Sequence, residues 1–370
     1  MHFYKSELKA LKKANRYRTR KVYDGSLKDF SSNDYLGLAS QKQLHVEASK
    51  VLQNLPFNSS KASMLVNGYH QVHKDFEQKL CELNGFEDGI VLGSGFCANV
   101  ALIESLARKG DVVFMDELYH ASGVLATNLK DVDVVFFEHN NMQKLKELLK
   151  NTKVKRKIIA VEGIYSMDGD LVDKEVFEIA DEFGAILVVD EAHSSGVVGK
   201  KLCGVFDLYD IDVKPNYIKM GTLGKAYGSF GAYILASKHI VEYLINRAKP
   251  VIYATSLSLY DTLLAHKSVE YIQKNLKHLK TEIQKRQQIV LEELGIKVDG
   301  LIVPIVIADN KKVMLIQQNV AQKGFSIGAI RQPTVQKAIL RVIARVGEDE
   351  QSFKELCRVI DENRKIKNNS

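Results

Sequence analysis

Ala185-Ile186-Leu187-Val188-Val189-Asp190-Glu191-Ala192-His193 is the stretch that decides the fold. Its unbroken apolar run reads as a parallel strand covered on both faces. The run ends on a carboxylate, which is costly to bury unless something cationic meets it. A second apolar run, Tyr217-Ile218-Lys219-Met220, leads into the glycine-flanked turn Gly221-Thr222-Leu223-Gly224-Lys225. A lysine in so tight a turn is poised for chemistry rather than for solvation. Together the two strand ends fit a pyridoxal phosphate (PLP) site. Lys225 would form a Schiff base with the cofactor aldehyde, and Asp190 would keep the pyridine nitrogen protonated so that the ring accepts electrons.

Working outward, strands are expected at Ile90–Leu92, Val112–Met115, Val134–Phe137, Ile158–Val161, Ile186–Val189 and Tyr217–Met220, with a further one at Tyr233–Leu235. Helical patterns lie between most of them; Val72, Phe76, Leu80 and Leu83 mark one such face. This is the signature of an α/β protein: a mainly parallel, seven-stranded sheet with helices on both faces. Beyond Ser256 the character changes. Long helical patterns run to Leu294, with Ile272, Leu276, Leu279, Ile283 and Val290 on one face, then come short strands near Ile302–Ile307, Ser326–Ala329 and Leu340–Ala344, and a terminal helix. The chain is therefore expected to divide into an N-terminal helix and arm (1–45), a large α/β domain (46–255) and a smaller C-terminal α+β domain (256–370).

Composition narrows the function classes. The chain of 370 residues is 45% hydrophobic, enough for a large core. No run approaches the roughly 18 apolar residues that a membrane-spanning helix needs, and no apolar signal segment follows Met1. Cys81, Cys97, Cys203 and Cys357 are scattered and form no CxxC pair, which points to a reduced, cytoplasmic protein without a structural metal. A net charge of +7 suits acidic small molecules or an acidic partner and is too diffuse to argue for nucleic acid. Eight of the first twenty-one residues are Lys or Arg, and Lys5, Lys9, Lys12 and Arg16 recur at helical spacing with Leu8 and Leu11 on another face. This basic arm is a candidate dock for an acidic acyl carrier protein; a solvated charged face is the plainer reading.

Gly93-Ser94-Gly95-Phe96-Cys97-Ala98-Asn99 follows a strand and opens a helix, and it matches G-x-G-x-x-A. With Asp111 and Asp116 near the next strand, a nicotinamide-dependent oxidoreductase is a competing reading. Both readings use backbone amides at the positive end of a helix to hold an anion. The Asp190 and Lys225 pair favours PLP, which needs a phosphate cradle, a partner for its ring nitrogen and an amine.

Several motifs in order resemble the α-oxoamine synthases among fold-type I PLP-dependent transferases, over Arg16 to about Arg341. These are Ser31-Ser32-Asn33-Asp34-Tyr35-Leu36-Gly37-Leu38, the Gly93–Asn99 turn, Asp116-Glu117-Leu118-Tyr119-His120-Ala121-Ser122, Glu162-Gly163-Ile164-Tyr165-Ser166-Met167-Asp168-Gly169, Asp190–Gly196 and Gly221–Lys225. The resemblance implies decarboxylative condensation of an amino acid with an acyl thioester. Alanine with a pimeloyl thioester, on coenzyme A or an acyl carrier protein, is the expected pair, and Ile330-Arg331-Gln332-Pro333-Thr334-Val335 is the discriminating segment. Glycine with acetyl-CoA or succinyl-CoA, and serine with a fatty acyl-CoA, are the alternatives inside the family. A non-catalytic subunit that keeps the fold is opposed by the retention of Lys225, Asp190, His193 and His120.

The same resemblance implies residue roles. His120 would stack on the ring and help position the amino acid; the plainer reading makes it a solvent-facing histidine at a helix start. Ser166 and His193 would bond near the ring's phenolic oxygen. Gly95 and Phe96 would give amides to the phosphate, with the Thr222 hydroxyl alongside. Thr255 would reach the phosphate of a neighbouring subunit, making a homodimer with shared sites, or would cap a helix. Arg16 and Thr334 would contact the acyl substrate, and Arg331 or Arg341 would grip the amino acid carboxylate through paired hydrogen bonds. Three departures stand out: Lys61–Gly68 where the family has a Gly-Ser-rich run, Gln332 for a proline, and Ala344-Arg345-Val346-Gly347 in place of a small-residue and histidine ending.

Overall fold

The computed structural model describes residues 3–14, 16–129 and 132–365. A short strand β1 (Lys28–Asp29) precedes the central sheet. That sheet contains β2 (Asp88–Leu92), β3 (Val112–Asp116), β4 (Asp133–Phe137), β5 (Lys157–Glu162), β6 (Ile186–Asp190), β7 (Tyr217–Thr222) and β8 (Ala232–Ala236). Their spatial order is β2-β8-β7-β6-β5-β3-β4, and only β8 runs against the rest. The expected seven strands and their mainly parallel pairing are thus present.

Residues of one strand alternate between two apolar clusters, which explains why the runs read as unbroken. Leu187 and Val189 of β6 face one cluster; Val188, with Ile218 of β7, faces the other together with Ala98, Leu102 and Leu106 of the helix Gly95–Leu106. Burial on both faces removes the need for polar residues anywhere along the strand.

Further on, the helical pattern ending at Leu294 is two helices, Leu259–Lys274 and Leu276–Leu294, interrupted at Asn275. A three-stranded antiparallel sheet follows, with β12 (Ile339–Ile343) between β9 (Ile302–Val306) and β11 (Gly328–Ile330). The helix Glu350–Lys365 ends the described chain. No helix of the described residues is long and apolar enough to cross a membrane.

The N-terminal helix is shorter than its charge pattern suggests. It spans Phe3–Lys13 and buries none of its side chains, so Arg16 lies beyond its end. The segment after it is tied to the far end of the chain. β1 pairs in parallel with β10 (Phe325–Ser326), Ile343 N donates to Phe30 O at 2.9 Å, and Val346 N donates to Tyr35 O at 2.8 Å. Arg345, absent from the candidate residues, is buried here and pairs with Asp34 at 2.5 Å and with Asp29 at 3.3 Å. Gly37 has φ +73°, and a Cβ at that position would stand 2.4 Å from Gly347 Cα, so only glycine permits this approach. The unusual Arg345-Val346-Gly347 ending is therefore a lock on the 29–37 segment.

Candidate active site

The C-terminal ends of β5, β6 and β7 bring three reactive groups to one edge of the sheet. Glu162 and Asp190 are register partners at the ends of β5 and β6, and Lys225 stands three residues past the end of β7. Placing the ligand beyond the carboxyl ends of parallel strands is the general rule for open α/β sheets.

Asp190 is buried and held from two sides. Its Oδ2 accepts from Asn99 Nδ2 at 2.8 Å, and its Oδ1 accepts from the Ala192 amide at 3.0 Å. Asn99 is fixed in turn by Tyr119, whose hydroxyl donates to Asn99 Oδ1 at 2.6 Å. The neighbouring Glu191 points the other way, into the core, where it accepts from the Val205 amide at 2.8 Å and lies 3.6 Å from Lys219 Nζ. Adjacent carboxylates thus divide the labour: Asp190 faces the site, and Glu191 neutralises the buried strand lysine.

Lys225 Nζ lies 2.7 Å from His193 Nε2, and His193 Nδ1 is bonded to the Tyr35 hydroxyl. Burial lowers the Lys225 amine to about 8 against the attraction of Asp190 and Glu162, with Arg341 adding repulsion. Burial also takes the His193 imidazole well below its ordinary value, and the charges of Lys225, Arg341 and His120 push in the same direction. Glu162 is pushed well up by burial first and by Asp190 second. One of its oxygens accepts from Ser166 N at 3.1 Å, while Oε1 is buried without a partner.

His120 does cap a helix, Ala121–Thr127, accepting from Ser122 N at 3.3 Å, and it is exposed. The surrounding protein lowers its imidazole below the usual value, the carboxylate of Asp190 opposing and the amine of Lys225 assisting. Behind it, His139 bridges Asp116 at 3.1 Å and Asp170 at 2.9 Å. Burial works against its charge, but the two carboxylates outweigh that and push it up to about 10. This bridge ties the end of β3, which leads to His120, to the loop carrying Ser166.

The glycine turn forms the N-terminus of Gly95–Leu106, capped by Ser94 Oγ, which accepts from Cys97 N at 3.2 Å. The amides of Gly95 and Phe96 belong to the first turn, which has no intrahelical acceptors. Gly95 packs against Thr222, where an added Cβ would stand 3.7 Å from Thr222 Cβ. Thr222 Oγ1 donates to Gly231 O at 3.0 Å and accepts from Gly224 N at 3.3 Å.

Arg341 also enters this group. Its Nε donates to Ser166 O at 2.8 Å and one terminal nitrogen donates to Asn33 Oδ1 at 2.9 Å. Arg331 follows β11 and its carbonyl accepts from Thr334 N at 3.0 Å. Arg16, Thr255 and Thr334 are exposed. Among the described residues no hydrogen bond joins those three to Lys225, His193 or Asp190. The cap of Leu259–Lys274 is Ser258, not Thr255, since Ser258 Oγ accepts from Asp261 N at 3.3 Å.

A family model described as aminotransferase class I and II matches residues 27–360, and the chain belongs to that family. The motif resemblance is borne out: relatives at high identity are named 8-amino-7-oxononanoate synthase. The enzyme of Helicobacter pylori strain J99 is 43% identical over 365 residues, covering 98% of both chains. A putative 8-amino-7-oxononanoate synthase of Aquifex aeolicus is 38% identical over 350 residues, 92% of both. Among solved structures, serine palmitoyltransferase from S. paucimobilis superposes with a TM-score of 0.87 at 21% identity, covering 97% of this chain and 96% of that one, which shows the shared fold. The 8-amino-7-oxononanoate synthase of Francisella tularensis gives a TM-score of 0.76 at 25% identity, covering 92% of this chain and 98% of that one. The chain is thus an α-oxoamine synthase of the fold-type I class, and the nicotinamide reading of the glycine turn is set aside.

The cofactor of this class is PLP, and the residues present fit it. A half-buried amine with a lowered pKa, a fixed carboxylate, an orphaned buried oxygen on Glu162 and a capped helix N-terminus are gathered at the carboxyl ends of the strands. Sequence reasoning missed Asn99, Glu162 and Tyr35 as site members, although all three lie inside motifs quoted above.

Proposed function

We propose that this chain condenses L-alanine with a pimeloyl thioester, giving 8-amino-7-oxononanoate, carbon dioxide and free thiol, a step of biotin synthesis. The observation that carries the reading is the Asp190, His193 and Lys225 constellation on adjacent strand ends, in a chain 43% identical to a named synthase. PLP, when bound, supplies an electron sink for the pair released at the amino acid α-carbon.

The residues of the chain divide the remaining work. Lys225 would hold the cofactor through its amine, and its lowered pKa suits it to take a proton from the amino acid α-carbon. Asp190, kept in place by Asn99 and the Ala192 amide, would hold the proton on the ring nitrogen. His120 would stack on the cofactor ring, and Ser166 and His193 would bond near its phenolic oxygen. The Gly95 and Phe96 amides, with Thr222, would receive the phosphate. Arg341, braced by Ser166 O and Asn33, is the better carboxylate grip than Arg331, because it shares hydrogen bonds with the site itself. Arg16 and Thr334 remain the acyl-chain contacts in this reading.

The protein works as a cytoplasmic homodimer in which Thr255 of one subunit completes the other's phosphate site; its exposure in the single chain supports this. The fully exposed basic helix Phe3–Lys13 supports docking of an acidic acyl carrier protein. The division into an arm (1–45), a large domain (46–255) and a small domain (256–370) accompanies the reading.

The test is turnover with alanine and pimeloyl-CoA, compared with glycine plus acetyl-CoA or succinyl-CoA and serine plus palmitoyl-CoA. Carbon dioxide and 8-amino-7-oxononanoate from the first pair alone support the proposal; preference for another pair overturns it.

A further inference from the structure

Tyr35 has no part in the reaction described so far, yet it is fully buried and touches the catalytic histidine. Its position is well determined. Tyr35 N donates to Asn33 O at 2.8 Å, its carbonyl accepts from Val346 N at 2.8 Å, and the preceding Asp34 is paired with Arg345 at 2.5 Å. The phenol therefore meets His193 Nδ1 because a lock more than 300 residues away in sequence holds it there.

The protons on this chain of contacts follow from its geometry. A neutral imidazole has one N–H and one lone pair. Both His193 nitrogens are engaged, Nε2 with Lys225 at 2.7 Å and Nδ1 with the Tyr35 hydroxyl. The phenol has one proton to give. Its other acceptor, Asn33 Oδ1, is 3.5 Å away and already accepts from Arg341 at 2.9 Å. The phenol thus donates to Nδ1, which leaves the imidazole proton on Nε2, facing the lysine. An Nε2–H donates well to the lone pair of a free amine and opposes an ammonium group, which would set two donors face to face.

We propose that Tyr35 is a positioning residue that fixes His193 as the Nε2–H tautomer and thereby favours the unprotonated amine of Lys225. This deepens the function proposed above and rests on its reading of Lys225 as the reactive amine. Two shifts agree with it: burial raises the Tyr35 phenol to about 12, so it keeps its proton, and His193 is held neutral. The other groups that face Lys225 are Asp190 and Glu162, which favour the ammonium form, and Arg341, which opposes it; Arg341 and His120 also face His193.

The experiment compares the wild-type full chain with Tyr35→Phe, both free of cofactor. Nitrogen-15 NMR of the His193 ring should show the Nε2–H tautomer in the wild type and its loss in the variant. Mass spectrometry of amine acylation at Lys225 against pH should move the half-reaction point up by about one unit, the equivalent of one net hydrogen bond. In the loaded enzyme, the acidic limb of kcat against pH should move with it while KM for the acyl thioester stays unchanged. Identical tautomer and titration in the two proteins overturn the proposal. Should the variant fold poorly, the wild-type spectrum alone decides, because an Nδ1–H ring there refutes it. A normal tautomer and titration shift without turnover of alanine and pimeloyl-CoA would fault the substrate assignment and leave the role of Tyr35 intact.

Discussion

Replacing Lys225 with Met should stabilise the cofactor-free chain at neutral pH. The amine falls from 10.5 to about 8, chiefly through burial that its carboxylate neighbours do not fully offset. At 1.36 kcal/mol for each pKa unit, this is a folding penalty of about 3 kcal/mol while the amine is charged in both states. Methionine fills similar space without the charge. At pH 7 the ammonium faces the His193 Nε2–H at 2.7 Å, donor to donor, so methionine gives up no hydrogen bond there. The net gain for Lys225→Met is therefore about 3 kcal/mol at pH 7. The sign with pH follows from linkage. Below about 8 both folded and unfolded amines are protonated and the penalty is complete. Between about 8 and 10.5 the unfolded chain binds more protons than the folded one, so wild-type stability rises and the penalty fades. Urea unfolding of both proteins at pH 7 and pH 10, with the slope checked for constancy, measures the difference. A variant no more stable than wild type at pH 7, or a gain that persists unchanged at pH 10, refutes the reasoning.

Three further outcomes are expected. Lys225→Ala should abolish turnover, leave the circular dichroism spectrum unchanged and prevent borohydride from fixing cofactor mass to the protein. Arg345→Ala leaves the partly buried Asp34 without its cation and should cost about 1–3 kcal/mol, read as a lower urea midpoint. His139→Gln should destabilise the chain by about 2–3 kcal/mol after allowance for solvent at this partly open site. Because His139 is raised from 6.5 to about 10, that loss should be complete below pH 6.5 and vanish as pH climbs through 10 in thermal melts.

Much of the fold was legible because each central strand is covered on both sides and therefore spells itself as a continuous apolar word. Strand-final Asp190 and the turn lysine Lys225 were legible for the same reason: a charge at the end of such a word has no packing role. Asn99 was harder to see. It sits in the helix after the glycine turn and reaches Asp190 across 91 residues, and nothing local marks an amide as the partner of a distant carboxylate. Arg345 looked like a departure from the family ending, and only its three acidic partners reveal it as a fastening. The helix break at Asn275 escaped because the apolar periodicity continues across it. Arg16 illustrates the opposite error: its spacing extended the helix by pattern, while the backbone leaves the helix after Lys13.

The lock between the 29–37 segment and the 341–347 ending also dictates a timetable for synthesis. Tyr35 and Asn33 leave the ribosome more than 300 residues before Arg341 and Arg345, which hold them. The central sheet has all its strands by Ala236 and is free to form while translation proceeds. Its reactive lysine nonetheless waits beside an unfinished histidine until β12 and Arg345 emerge more than a hundred residues later. A nascent chain stalled before β12 should therefore own a sheet but no working chemistry, a safeguard against half-made enzyme capturing an aldehyde.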